Sequence, residues 1–316
     1  MDKLIQKIAN TVVANLDNTT EIGLFKGKMG LSVFLYAYAK YSGSSVYENI
    51  ADQLIDEIYA RIKPNISPSL IDGSAGIGCG LCYLLQSHYI EGNPDHVLRD
   101  LDKQLLDNAE AIITKESTSP TPVFSSGVYL LSRLSLFNAE QRQKRIIEMI
   151  DVGIFFMWEM VQRKNFVPKL SFLNSMFLVY YRLSKENIET ENVKQLQKDM
   201  LRLSISAIEQ QQYQLSDIIL LRYILKLISD GDYIDYKCRL ESLLLSIGID
   251  TSNIEEWNNI LWWYFVYGIY FLDYSLEDIT NYVDQKMLDY SFDIDIINNQ
   301  FAVLGLMLLD LNKNVI

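Results

Sequence analysis

Residues 27–40 read GKMGLSVFLYAYAK. Apart from Lys28 and Lys40 at the ends, the stretch is apolar or small on every helical face, and a helix without a wet face is one buried all round. Six further segments have the same character: 72–85 (DGSAGIGCGLCYLL), 123–134 (VFSSGVYLLSRL), 169–183 (KLSFLNSMFLVYYRL), 215–228 (LSDIILLRYILKLI), 257–272 (WNNILWWYFVYGIYFL) and 298–311 (NNQFAVLGLMLLDL). Counted from Met29, Ala75, Ser125, Ser171, Asp217, Asn258 and Gln300, successive starts are 46, 50, 46, 46, 41 and 42 residues apart. A period in this range marks a repeated supersecondary unit.

The intervening stretches, 2–16, 46–62, 95–114, 138–161, 187–211, 232–246 and 275–289, are amphipathic. In the second of them Ile50, Leu54, Ile55, Ile58 and Ile62 recur at helical spacing, while Asp52, Asp56, Glu57 and Arg61 occupy other faces. One apolar stripe implies one buried side and one wet side. Wet-faced helices therefore alternate with fully buried ones. The reading that satisfies both is an all-α fold, an α/α toroid of about seven inner and seven outer helices, in one domain over residues 1–316. An open solenoid is the alternative. Lys63-Pro64-Asn65, Ser117 to Pro122, Val167-Pro168 and Ser229 to Asp232 carry the loop signals.

Composition narrows the function. The chain has 316 residues, 49% hydrophobic and 22% charged, with a formal charge of −12. Nucleic acid and anionic membrane surfaces are poor partners for so acidic a chain. The 15 glycines and 6 prolines are few, as expected of helices rather than of many tight turns. Three cysteines, Cys79, Cys82 and Cys238, do not make a disulfide framework. The charges of Met1-Asp2-Lys3 come too early for a signal peptide, and the longest apolar run, Leu261 to Leu272, is too short for a bilayer. The expectation is a soluble cytoplasmic protein.

Two motifs are more specific than the period. Gly27-Lys28-Met29-Gly30-Leu31-Ser32-Val33-Phe34 opens the first buried segment, and Asp72-Gly73-Ser74-Ala75-Gly76-Ile77-Gly78 opens the second. Glycine at such starts permits a sharp turn and a close approach of neighbouring backbones. These segments resemble the lanthionine synthetase C-like (LanC-like) family. The resemblance implies a toroid of seven inner and seven outer helices. It also implies cyclase chemistry, in which zinc activates a cysteine thiol of a ribosomally made peptide for addition to a dehydrated serine or threonine. In that family the zinc is held by a cysteine at the fifth inner start and a Cys-His pair at the sixth, with a histidine at the fourth. Here those starts read Gln214-Leu215-Ser216-Asp217, Trp257-Asn258-Asn259 and Lys169-Leu170-Ser171-Phe172, without cysteine or histidine. The expectation is a protein of bacterial, lanthipeptide-type peptide modification with no metal and no cofactor. It would act by binding a precursor peptide or a partner modification enzyme.

Candidate residues follow from chemistry and position. Asp72, Asp217 and Arg222 are the catalytic candidates, the first two at helix starts and the third inside Ile218–Leu225. Lys28, Tyr36, Tyr129, Trp257 and Asn258 are the binding candidates, offering charge, rings and hydroxyls to a central cavity. Each has a plainer reading. The carboxylates, with Glu255 and Glu256, suit helix caps, and Arg222 suits a structural salt bridge. A toroidal glycan hydrolase or lyase would need two of those carboxylates facing each other, and a helical scaffold would need none. Cys79, Cys82, His88 and His96 form an irregular zinc pattern, and buried cysteine commonly packs as a small apolar group. Cys238 reads as outer-helix packing. Asp230-Gly231-Asp232 lacks the rest of a calcium loop.

Overall fold

The computed structural model describes residues 2–63, 66–107, 121–162, 168–186, 191–228, 231, 233–247, 277, 280–281, 283–285 and 294–313. Among these residues there is no β-strand, only one isolated bridge between Ile22 and Gly27. The principal helices are α1 (Asp2–Ala14), α2 (Lys28–Ser42), α3 (Ser45–Arg61), α4 (Ser74–Gln86), α5 (Pro94–Val97), α6 (Arg99–Leu105), α7 (Thr121–Arg133), α8 (Ala139–Gln162), α9 (Leu170–Ser184), α10 (Glu191–Glu209), α11 (Leu215–Leu227), α12 (Ile234–Ile247) and α13 (Ile294–Lys313). The fold is all-α. None of these helices is long and apolar enough to cross a membrane.

Six of the seven buried segments fall on α2, α4, α7, α9, α11 and α13; the segment 257–272 lies outside the described residues. In α2 every residue from Met29 to Ala39 is buried, and in α4 every residue from Ser74 to Cys82. The amphipathic helices bury one stripe: in α1 it is Leu4, Ile5, Ile8, Ala9 and Val12. Where one helix was expected over 95–114, the described part, which ends at residue 107, holds α5 and α6. Asn93 caps the first by accepting the Asp95 N–H, and Pro94 starts it. The chain then turns at Leu98, which is wholly buried. Sequence periodicity does not show such a break, because Leu98 is apolar in either geometry.

The chain gathers into two compact units, Met1–Leu105 with Asn258–Ile316, and Leu106–Trp257. In the first, α2 packs between α13 and α4, α3 lies along α2, and α1 packs on both α13 and α2. The last apolar helix therefore lies beside the first. Lys7 of α1 also pairs with Asp284 at 2.7 Å. In the second unit α9 packs between α7 and α11, α10 covers α9, and α8 and α12 flank α10.

Candidate functional site

Lys28, Asp72 and Asp217 stand at or just before helix starts, so the loops that lead into those helices come first. Residues 19–27 lead into α2 and residues 66–73 into α4, and the two loops meet backbone to backbone. The Phe25 N–H donates to the Ile71 carbonyl at 3.0 Å, and the Lys28 N–H donates to Glu21 at 3.0 Å. Gly27 has φ +148°, a conformation L side chains rarely adopt. A methyl on Gly23 would lie 2.6 Å from the Ile71 oxygen, and one on Gly73 would lie 2.8 Å from both the Ser69 nitrogen and its oxygen. Gly23 thus marks the place where one loop backbone crosses the other, and Gly27 and Gly73 mark where each loop folds closely on itself. The Gln104 amide ties α6 to this crossing by donating to the Ile66 carbonyl at 2.8 Å.

A bare helix start attracts anions through its unused N–H groups. The start of α4 is not bare. Gly73 and Gly76 donate to the Ser69 carbonyl, Ser74 to the Ser67 carbonyl at 2.8 Å, and Ile77 to Gly73. The second unit repeats the lateral tie: Leu170 at the start of α9 donates to Gln212, in the loop before α11, at 3.0 Å.

Asp217 closes a capping box at the start of α11. Its carboxylate accepts the Gln214 N–H at 2.8 Å, and the Gln214 side chain accepts an N–H from the first turn. The Asp217 carbonyl in turn accepts the Asn174 amide at 2.7 Å. Asp217 is buried. The cap predicts that Asp217→Ala loses about 1–2 kcal/mol, read as a lower urea midpoint. Asp72 stands apart from it in role: it is exposed, and its N–H points to the Ser69 hydroxyl at 3.5 Å.

The remaining candidates occupy distinct settings. Lys28 opens α2 and pairs with Glu57 of α3. Tyr36 is buried, donates to the Asp52 carboxylate and stacks on Tyr89 at 6.1 Å. Tyr129 is wholly buried on α7. Trp257 and Asn258 lie outside the described residues, as do Glu255 and Glu256. Arg222 is half-buried, and among the described residues it has no ion-pair partner. Arg133 is wholly buried, with its guanidinium 4.1 Å from the centroid of the Phe137 ring. The Lys28–Glu57 and Tyr36–Asp52 ties were missed from sequence, although Asp52 and Glu57 are acidic residues within an otherwise apolar-striped helix.

Burial pushes the phenols of Tyr36, Tyr83 and Tyr180 well above the ordinary tyrosine value, and the Asp52 carboxylate adds to the effect at Tyr36. A raised phenol value favours the neutral form in the fold. The associated stability is complete below the unfolded value of about 10 and is lost as pH rises toward the raised values. The urea midpoint is therefore expected to hold up to about pH 9 and fall above about pH 10, with delayed phenolate absorbance from these three residues.

Among the described residues no group of three or more His, Cys, Asp and Glu is placed to hold a metal ion. Cys79 and Cys82 are buried in α4, whereas His88 and His96 are exposed beyond its end, so the irregular zinc pattern does not assemble. Cys238, expected to pack, is exposed on α12. The starts of α9 and α11 offer a lysine, serines, an amide and a capping aspartate. They do not fit a zinc ion held by thiolate and imidazole.

Residues 1–133 match the family model described as lanthionine synthetase C-like protein. Over that stretch, less than half of the chain, the sequence is similar to that family. The match takes in both glycine motifs, the crossing beside them, and the helices α1 to α7. No curated protein and no solved structure matches the chain.

Proposed function

We propose that this LanC-like chain serves bacterial peptide modification of the lanthipeptide type by binding a precursor peptide or the partner enzyme that modifies it, without zinc-dependent cyclisation. The observation that carries the reading is a substitution of roles at one helix start. A LanC-like chain that used zinc would need a thiolate ahead of α11, and here that place holds Gln214 and Asp217 in a capping box. Their polar atoms serve the helix. No nucleophile-activating group stands there.

On this reading Arg222 meets the peptide, because a half-buried cation can pack its stem while its head reaches a carboxylate or carbonyl. Trp257 and Asn258 belong to the same reading by the sequence pattern alone, which opens an apolar run there. Lys28, Tyr36 and Tyr129 support the helices beneath. The carboxylate alternative finds no favouring observation, since Asp217 is a cap.

The test uses the full chain and a synthetic peptide containing one dehydroalanine and one cysteine. Binding is read by fluorescence anisotropy and thiol loss by alkylation and mass spectrometry. Saturable binding with thiol loss at the buffer rate is expected. Accelerated thiol loss on adding zinc would overturn the metal-free reading, and absence of binding would overturn the peptide reading.

A further inference from the structure

The helix α8 has apolar residues on two faces. Ile146, Met149, Ile150, Val152, Phe156 and Met157 are buried within the second unit. On the opposite side Ile147, Phe155 and Trp158 are exposed, Trp158 by 56%. They do not scatter. Residues 147, 151, 155 and 158 follow one helical stripe, and the rings of Phe155 and Trp158 lie 6.4 Å apart. The helix α10, beside α8, shows the contrasting pattern: its exposed residues are Glu191, Asn192, Gln195, Arg202 and Glu209. A wet-faced helix in this fold needs a single apolar stripe, so the second stripe of α8 is surplus to its packing.

The fourth member of the stripe identifies what would cover it. Asp151 is exposed between Ile147 and Phe155, and among the described residues it has no hydrogen-bond or ion-pair partner. Neighbouring Glu148 differs, being paired with both Lys144 and Arg145. The ridge therefore presents apolar surface and aromatic rings around one unpaired negative charge, on a chain of formal charge −12. An acidic partner or an anionic surface would be repelled. A cationic side chain set among apolar ones would meet the Asp151 carboxylate, and could lie over an indole or phenyl face within one helical turn. Exposed Trp with an adjacent ring is also the residue type that anchors helix-in-groove contacts.

We propose that the Ile147–Asp151–Phe155–Trp158 ridge of α8 docks a cationic amphipathic helix of a partner protein. The inference stands apart from the reading of the helix starts, and its test involves neither thiols nor zinc. The probe is a fluorescently labelled synthetic peptide with leucines on one helical face and arginines flanking them; the control carries glutamate in place of arginine. The full chain is expected to bind the arginine peptide and not the control. The double variant Phe155→Ser/Trp158→Ser is expected to bind at least about tenfold more weakly, and Asp151→Arg about fivefold more weakly. Because all three side chains are exposed, circular dichroism should be unchanged. Equal affinity in all three proteins, or equal binding of the control, would overturn the proposal. So would a dimer in sedimentation that the double variant dissolves, since the ridge would then be filled by a second copy.

Discussion

Gly73→Ala is expected to destabilise the first unit by about 3 kcal/mol. The added methyl would collide with the Ser67 carbonyl oxygen and lie 2.8 Å from the Ser69 backbone on both its nitrogen and oxygen. None of these atoms belongs to a side chain that could rotate away. Relief requires the 66–73 loop to move, and that loop carries the Phe25–Ile71 tie as well as the Ser74–Ser67 bond of 2.8 Å. The crossing and the start of α4 should loosen together. Gly231 is the control: a methyl there meets nothing within 4 Å, and φ is unremarkable. Gly231→Ala should leave the urea midpoint within about 0.5 kcal/mol of the parent. If Gly73→Ala is as mild as Gly231→Ala, the 66–73 loop does not fold back on the start of α4 as described.

The second large effect concerns the contact that places the end of the chain beside its beginning. A methyl on Gly305 of α13 would come within 2.6 Å of the Phe34 ring on α2, and that ring is wholly buried. Gly305→Ala alone should cost about 2 kcal/mol through overpacking. Phe34→Ala alone should cost about 3–5 kcal/mol through the cavity it leaves. Together they should cost less than Phe34→Ala alone. Without the ring the methyl has room, and alanine is favoured over glycine inside a helix by about 1 kcal/mol. A coupling of this sign is characteristic of residues in contact. Strict additivity in urea denaturation would mean that α13 and α2 do not touch there.

Much of the fold was legible because it rests on two periods at once, the helical repeat within each segment and the spacing between segments. Lengthwise, α2, α4, α9 and α11 sit where the apolar runs predicted them. The glycines at 27 and 73 were legible as points of close approach, since removing a Cβ has few other uses at a helix start. What they approach was not, because the Glu21 and Ser67 carbonyls belong to unpatterned loops. The outward stripe of α8 was missed for a related reason. Ile147, Phe155 and Trp158 are apolar, and a stretch read for one buried face absorbs them into it.

The candidate site was less legible than the fold. An aspartate at a helix start has the same identity whether it caps or catalyses, and only its partner distinguishes the two. For Asp217 that partner is Gln214, three residues away. For Lys28 and Tyr36 the partners, Glu57 and Asp52, lie on the next helix, beyond what local spacing reveals. For Arg222 local spacing names no partner either. A cation in an apolar run invites a salt bridge, and among the described residues none forms.

The most direct test of the central claim is the zinc content of the untagged full chain after dialysis against metal-free buffer, by elemental analysis with a cyclase-type zinc protein as reference. A zinc level indistinguishable from that of the dialysis buffer is expected. About one tightly held zinc per chain would contradict it, and would mean that thiol activation belongs to this protein after all.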